Sequence, residues 1–176
     1  ADQIGCFVVA THGDNTIRIT NAASSDVPVI QYVLHSSWSS VYKDIFGEER
    51  ASRYLKRSFS MEALTRAVTN SGAMYLVALY DGTIRGICHY GAPLLDDCED
   101  RKSLYSLYVH PGYWQKGIGT ALLAAMAKDL RSQRVTDVFA YVDPRNELAC
   151  QFFKKRGFAH LPDDDRDGEL YLRKVL

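Results

Sequence analysis

The sequence predicts a mixed α/β domain built on a mostly antiparallel sheet, and three observations carry that reading. "MYLVALYDGTIRGICHYG" (74–91) holds two strand-like runs joined by Asp81-Gly82, a pair suited to a tight hairpin turn because glycine accepts positive φ at little cost. "SLYSLYVHPGYWQKGIGTALLAAMAKDLRSQRVTDVFAYVD" (103–143) runs strand, glycine-marked turn, helix and strand. Apolar residues at helical spacing stand before the hairpin and again after the second of these strands. A length of 176 residues fits one domain over 1–176, since domains commonly run to about 100–200 residues.

From the N-terminus, residues 1–15 read as an extra strand or a loose arm, and "TIRIT" (16–20) alternates apolar and polar residues as a half-buried strand does. A first helix starts from Ser25 or Asp26 as cap, tolerates Pro28 in its first turn, and repeats Val27, Ile30, Leu34 and Trp38 on one face. A second helix is expected from about Glu48 to Arg57, and a third from the cap Ser60 to near Gly72. After the hairpin, "LLDDCEDRK" (94–102) reads as an acidic loop, and 103–110 as a strand rich in Leu, Tyr and Val. Ile118, Leu122, Leu123, Met126, Ala127 and Leu130 form the apolar face of the next helix, and 136–143 is a strand. Asn146 to Arg156 is a helix with Leu148, Ala149, Phe152 and Phe153 on its buried face, stopped by Gly157. "FAHLP" and "ELYLRKVL" then read as strands around the polar loop "DDDRDG".

Charge and composition exclude several function classes. Lys plus Arg and Asp plus Glu are both 21, so no global field favours nucleic acid or an anionic membrane, and a charged ligand must be held locally. No apolar run approaches the roughly 18 residues of a membrane span, and "ADQIG" lacks the basic and apolar regions of a signal peptide, so a cytoplasmic protein is expected. The four cysteines, Cys6, Cys88, Cys98 and Cys150, contain no Cys-x-x-Cys pair, which predicts reduced thiols and no metal site. Pairings of His89 with Cys98, or His110 with Cys150, lack a local nucleophile signature and are read as ordinary surface or core residues.

The stretch "HPGYWQKGIGTALL" carries the ligand chemistry. A helix begins with four N–H groups that lack intrahelical partners, and its aligned dipoles add partial positive charge there, so that terminus suits a phosphate. Gly117 and Gly119 remove side chains where a ligand presses on the main chain, and Lys116 adds a cation. A dinucleotide fold is the rival reading, with Asp143 ending the second strand like a ribose ligand. The third fingerprint glycine falls at Leu122, however, and the glycines begin seven residues after His110 instead of directly after their strand. A phosphate-loop NTPase is excluded because no Gly-Lys-Ser/Thr follows.

"LYVHPGYWQKGIGTALL" followed by "VDPRNELACQFFKKRGF" closely resembles the GNAT superfamily of N-acetyltransferases over residues 16–176. The family's loop usually carries Gln or Arg where this chain has Trp114, with Gln115 beside it. The resemblance implies a sheet splayed at its centre and flanked by helices. It places acetyl-CoA, a co-substrate, in the splay between strands 103–109 and 136–142, against Leu107, Tyr108 and Val109. Gln115, Lys116, Gly117, Ile118, Gly119 and Thr120 would surround its pyrophosphate. Asn146 would bind the pantetheine arm beside Ala149, Phe152 and Phe153, with Lys154, Lys155 and Arg156 towards the phosphates. Basic residues in a last helical turn also complement the helix dipole without any ligand.

The implied reaction is direct attack of an amine on a thioester, with the Leu107 N–H steadying the charge that develops on the carbonyl oxygen. A lysine-like amine has a pKa near ~10.4, so a proton must leave before attack. Many family members place Glu where this chain has Ser103, a poor base, which leaves a water chain or Tyr105, His110 or Asp143 to consider. The family's usual tyrosine acid is Phe153 here, and a thiol of pKa near ~8.5 leaves as thiolate unaided. Ser103, Tyr105 and Leu107 are therefore the candidate catalytic residues. The expected partner is a small-molecule or peptide amine, with a homodimer allowed and neither nucleic acid nor membrane involved. The acidic runs at Asp96, Asp97, Glu99 and Asp100 and at Asp163, Asp164, Asp165 and Asp167 are solvated loops able to attract a cationic acceptor. "RYLKRSFSMEALTRAV" with the hairpin that follows looks like the bacterial PaiA-type polyamine acetyltransferases. Two other classes stay open: a non-catalytic acyl-CoA sensor, consistent with the missing Glu and Tyr, and a nucleotide-dependent oxidoreductase.

Overall fold

Two antiparallel blocks of strand meet along one short parallel seam, and that seam organises the molecule. The computed structural model describes residues 7–12, 15–93 and 101–176. In chain order its elements are β1 (Phe7–His12), β2 (Asn15–Asn21), α1 (Val27–Phe46), α2 (Glu48–Ser58), α3 (Met61–Thr69), β3 (Ala73–Tyr80), β4 (Thr83–Gly91), β5 (Arg101–Val109), α4 (Ile118–Ser132), β6 (Asp137–Val142), α5 (Glu147–Lys155), β7 (Ala159–His160) and β8 (Leu170–Val175). Among the described residues the strands form one sheet in the order β1-β2-β3-β4-β5-β6-β8-β7. Every pairing is antiparallel except β5 with β6. The mixed α/β, mostly antiparallel architecture read from the sequence is the one observed.

Local chemistry accounts for the element boundaries. Asp81 (φ +50°) and Gly82 (φ +85°) both sit in the left-handed region, which the two-residue hairpin between β3 and β4 requires. Ser60 caps α3 by accepting the Ala63 N–H at 3.1 Å. That helix stops at Thr69, short of Gly72, because the Asn70 side chain accepts the Gly72 N–H at 2.8 Å and folds the chain into a turn. A 3₁₀ turn over Ser24–Asp26 precedes α1, and the Asp26 carboxylate turns back to accept the Ala23 N–H at 2.8 Å instead of capping the helix. "FAHLP" contributes only Ala159–His160, since Pro162 opens a 3₁₀ turn. Arg101 and Lys102 already belong to β5, and the acidic residues Asp96, Asp97, Glu99 and Asp100 lie outside the described residues. Of residues 1–15, Phe7–His12 pair with β2 as an extra edge strand.

Each face of the sheet has its own core. Ile118, Leu122, Met126 and Leu130 of α4 pack on Leu76, Cys88, Val138 and Leu172, together with Phe153 of α5. On the other face Ile30, Leu34 and Trp38 of α1, Leu55 of α2 and Leu64 of α3 cover Tyr75, Val77 and Ile87. Fully burying one such side chain contributes about 1.5–3 kcal/mol, so the two helical layers clamp the sheet from both sides. Leu148 departs from its expected place on the buried face of α5. It is 57% exposed and lines a cavity instead.

Candidate active site

The parallel seam is short because β5 and β6 stay paired only over Arg101–Ser103 and Asp137–Phe139. Beyond Ser103 the strands diverge, while β5 keeps its pairing with β4 up to Val109 and Gly86. A register shift at His89/Tyr90 of β4 accompanies the divergence, because Ser106 opposes His89 but Leu104 opposes Tyr90, leaving Tyr105 as the extra residue of a β-bulge. The splay exposes backbone. His110 N–H donates to the Arg85 carbonyl at 2.8 Å, and amide direction alternates along a strand. Tyr108 therefore turns its amide groups towards β4, while those of Leu107 and Val109 face the unpaired side. The indole of Trp114 agrees with this alternation, donating to the outward carbonyl of Val109 at 2.8 Å.

Past β5 the chain makes a turn that gathers N–H groups. Gln115 (φ +61°) and Gly117 (φ +82°) both adopt left-handed backbone around Lys116, a geometry that directs successive N–H groups into one concavity. Gly117 is the N-cap of α4 and makes no side-chain cap bond, so the first-turn N–H groups of that helix add to the same concavity. Gly119 lines the same region and also serves packing. A Cβ there would stand 3.1 Å from Cε2 and Cζ of Phe152, so the missing side chain makes room for that ring. Arg156 holds the ring in place: its guanidinium lies 3.7 Å from the Phe152 centroid and donates to Thr120 Oγ1, its Nε at 3.0 Å.

A cavity of about 380 Å³ runs from the splay to this turn. Leu107, Tyr108, Val109, Gln115, Gly117, Ile118, Gly119, Thr120, Asn146, Ala149, Phe152, Phe153 and Lys155 all line it, so residues 48 positions apart, from Leu107 to Lys155, meet at one surface. Lys116 stands outside the lining, with its ammonium 6.0 Å from the Tyr80 ring centroid. Ser37 and Val41 of α1 join the wall, and sequence reading had not found them. Their only signal is an i, i+4 spacing on the inner face of α1. Asn146 has both ends of its amide engaged. Its oxygen caps α5 through the Ala149 N–H at 3.1 Å, and its Nδ2 donates to the Tyr42 hydroxyl at 3.1 Å, which ties α5 to α1.

A model of the Acetyltransferase (GNAT) family matches residues 35–158. The chain belongs to that family, and is thus an N-acetyltransferase. It is similar to the spermidine N(1)-acetyltransferase of Thermoplasma acidophilum, 26% identical over 161 residues, or 89% of this chain and 95% of that protein. The crystal structure of the PaiA N-acetyltransferase of Thermoplasma acidophilum in complex with coenzyme A matches with a TM-score of 0.83 at 24% identity, covering 91% of this chain and 99% of that one. An acetyltransferase from Thermus thermophilus matches with a TM-score of 0.71 at 18% identity, covering 97% and 100%. These structural likenesses establish the fold.

Within this GNAT frame the residues considered as acids and bases have defined environments. Ser103 is buried, at 6% exposure, where β5 and β6 are still paired. Tyr105 donates its hydroxyl to the Ala92 carbonyl, and burial raises its pKa. Asp143 accepts the Arg145 guanidinium at 3.0 and 2.8 Å, which holds its carboxyl below the usual range. His110 accepts the Gly112 N–H at 3.1 Å and stacks on Tyr32 with centroids 5.4 Å apart, and burial pushes its pKa down. Burial pushes His89 further, to about 4. That ring lies between Tyr75 and Tyr105, and its Nε2 is buried without a hydrogen-bond partner among the described residues. No helix among the described residues is long and apolar enough to cross a membrane.

Proposed function

We propose that the protein, acting as a single domain over 1–176, catalyses acetyl transfer from acetyl-CoA to a primary amine of a small polycation. The observation that carries the cofactor half is the unpaired edge of β5, whose Leu107 and Val109 amides face a cavity ending at the left-handed turn of Gln115 and Gly117. An extended amide-bearing chain finds its hydrogen-bond partners along such an edge, and a diphosphate finds its donors at such a turn. Acetyl-CoA offers both features and supplies an activated acyl group as a thioester. Phe152 and Phe153 give the cavity an apolar flank, and Lys155 and Arg156 place positive charge towards the turn.

The Leu107 N–H serves as the donor to the carbonyl oxygen, fixed by the pairing of β5 with β4 before any ligand arrives, so no reorganisation is needed when charge develops. Tyr105 and Asp143 each hold a local partner already, and Phe153 has no acidic proton. Orientation within the splay and the oxyanion donor therefore carry most of the rate, and the proton of the amine leaves through water. Support for a polycation comes from the spermidine-acetylating relative. The test is thiol release from acetyl-CoA across a panel of mono-, di- and polyamines, with CoA binding by calorimetry alongside. Turnover with polyamines is the expected result. CoA binding without turnover of any amine would favour an acyl-CoA sensor, and absence of CoA binding would overturn the reading.

A further inference from the structure

Beyond the paired segment of β5 and β6, Tyr108 and Tyr141 extend the aromatic rings that lie on the α1 and α2 side of the sheet. Trp38 stacks on Tyr54 with centroids 4.4 Å apart and lies 4.5 Å from Tyr42, while Phe59 meets Tyr108 edge-on at 6.0 Å. β6 and β8 add Tyr141 and Tyr171, 4.7 Å apart. The Tyr141 hydroxyl is shielded from solvent and has no hydrogen-bond partner among the described residues.

Two carboxylates end the strands beside these rings, and they differ in one respect. Val142 pairs with Leu170, so the next residues outward, Asp143 and Glu169, leave the sheet side by side. Asp143 is neutralised by Arg145. Glu169 has no ion pair or hydrogen bond to its carboxylate among the described residues. It is held by a tight turn in which Asp167 (φ +53°) and Gly168 (φ +82°) connect the bridged residues Arg166 and Glu169. Asp165 braces that turn by accepting the Tyr171 N–H at 2.8 Å and meeting His160 Nε2 at 2.9 Å. Although the residue is exposed, partial burial of its carboxyl and then the charges of Asp143 and Asp167 push its pKa up. Burial likewise raises the pKa of Tyr42, Tyr54, Tyr108 and Tyr141, and the charge of Glu169 adds to each shift.

We propose that Glu169 is the residue that selects polyamine acceptors, by holding a distal ammonium group against the tyrosine faces while another amine of the same molecule enters the splay. This rests on the acetyltransferase reading above and adds to it the residue that sets acceptor class. A cation placed there meets an unpaired carboxylate at fixed position and aromatic faces that attract positive charge. A monoamine has no second charge to place.

The test is Glu169→Gln, which keeps shape and removes charge, with Glu169→Asp as the charge-retaining control. For spermidine, kcat/KM is expected to fall at least tenfold in the Gln variant, mainly through KM, with partial recovery in the Asp variant. For butylamine the change is expected to stay within twofold. Equal losses for both amines, or no loss for spermidine, would overturn the proposal. Spermidine binding to the CoA-loaded protein, measured by calorimetry, separates the anchor from turnover. Tenfold weaker binding in the Gln variant supports it, and unchanged binding overturns it. A parent protein that binds spermidine through Glu169 but acetylates no amine would overturn the enzymatic reading and leave the anchor standing.

Discussion

Two regions flanking the splay are built from different groups. At the α4 and α5 end the donors are backbone: the Leu107 and Val109 amides, the turn at Gln115 and Gly117, and the opening of α4. At the α1 and α2 end the groups are side chains, namely Trp38, Tyr42, Tyr54 and Tyr108, with Glu169 and Asp143 opposite. Main-chain recognition tolerates change in side chains but not in backbone conformation. Side-chain recognition reverses that dependence, so the proposed cofactor and acceptor sites should respond differently to substitution.

Gly117 offers the sharpest way to break the comparison. A Cβ there meets only the Ile17 Cδ1 at 3.9 Å, so the obstacle to substitution is its φ of +82°, which Asn and Asp tolerate better than other residues. Gly117→Asp is expected to weaken CoA binding about a thousandfold, or about 4 kcal/mol, by setting a carboxylate against the anion site. Gly117→Asn, equal in shape and strain, should lose tenfold or less. Calorimetry with CoA decides, and equal losses would show that the turn does not act through charge. Gly119→Ala serves as the packing control. Its Cβ presses on Phe152, so it should lower stability by about 1–2 kcal/mol and affect CoA binding less than Gly117→Asp does.

On the α1–α3 side of the sheet, sensitivity resides in a side chain that titrates. His89 is held at a pKa of about 4, below the unfolded value of 6.5, because burial penalises its charged form. Between those values the unfolded chain takes up a proton that the folded one refuses. Stability is therefore fully present above pH 6.5 and is lost as pH falls towards 4, by up to about 3 kcal/mol. Urea unfolding at pH 7 and pH 4.5 should show a smaller difference for His89→Phe than for the parent, and an unchanged difference would remove His89 as the cause.

Phe153→Tyr should give the smallest effect. Phe153 is buried at 8% exposure and also lines the cavity, so the added hydroxyl can enter that space. If thiolate leaves unaided, kcat changes less than tenfold in steady-state assays. A gain of a hundredfold or more would show that the chain lacks an acid it needs.

The sequence by itself determined the local features. Asp81-Gly82 set the hairpin, Ser60 the start of α3, and the Gln115–Gly119 stretch the turn ahead of α4, because each depends on the φ preference or hydrogen-bonding reach of a few adjacent residues. The same locality made the turn ahead of α4 readable: left-handed backbone leaves its mark as glycines in a short motif. Only the tertiary structure decided where β5 parts from β6, that Gly119 yields to Phe152, and that Leu148 faces a cavity. It also decided that Ser37 and Val41 of α1 border the same space as α5, more than 100 positions later in the chain, and that Glu169 stands beside Asp143. Contacts of that range are set by strand register and by two helical layers closing on one sheet, and no local pattern of residue types records them.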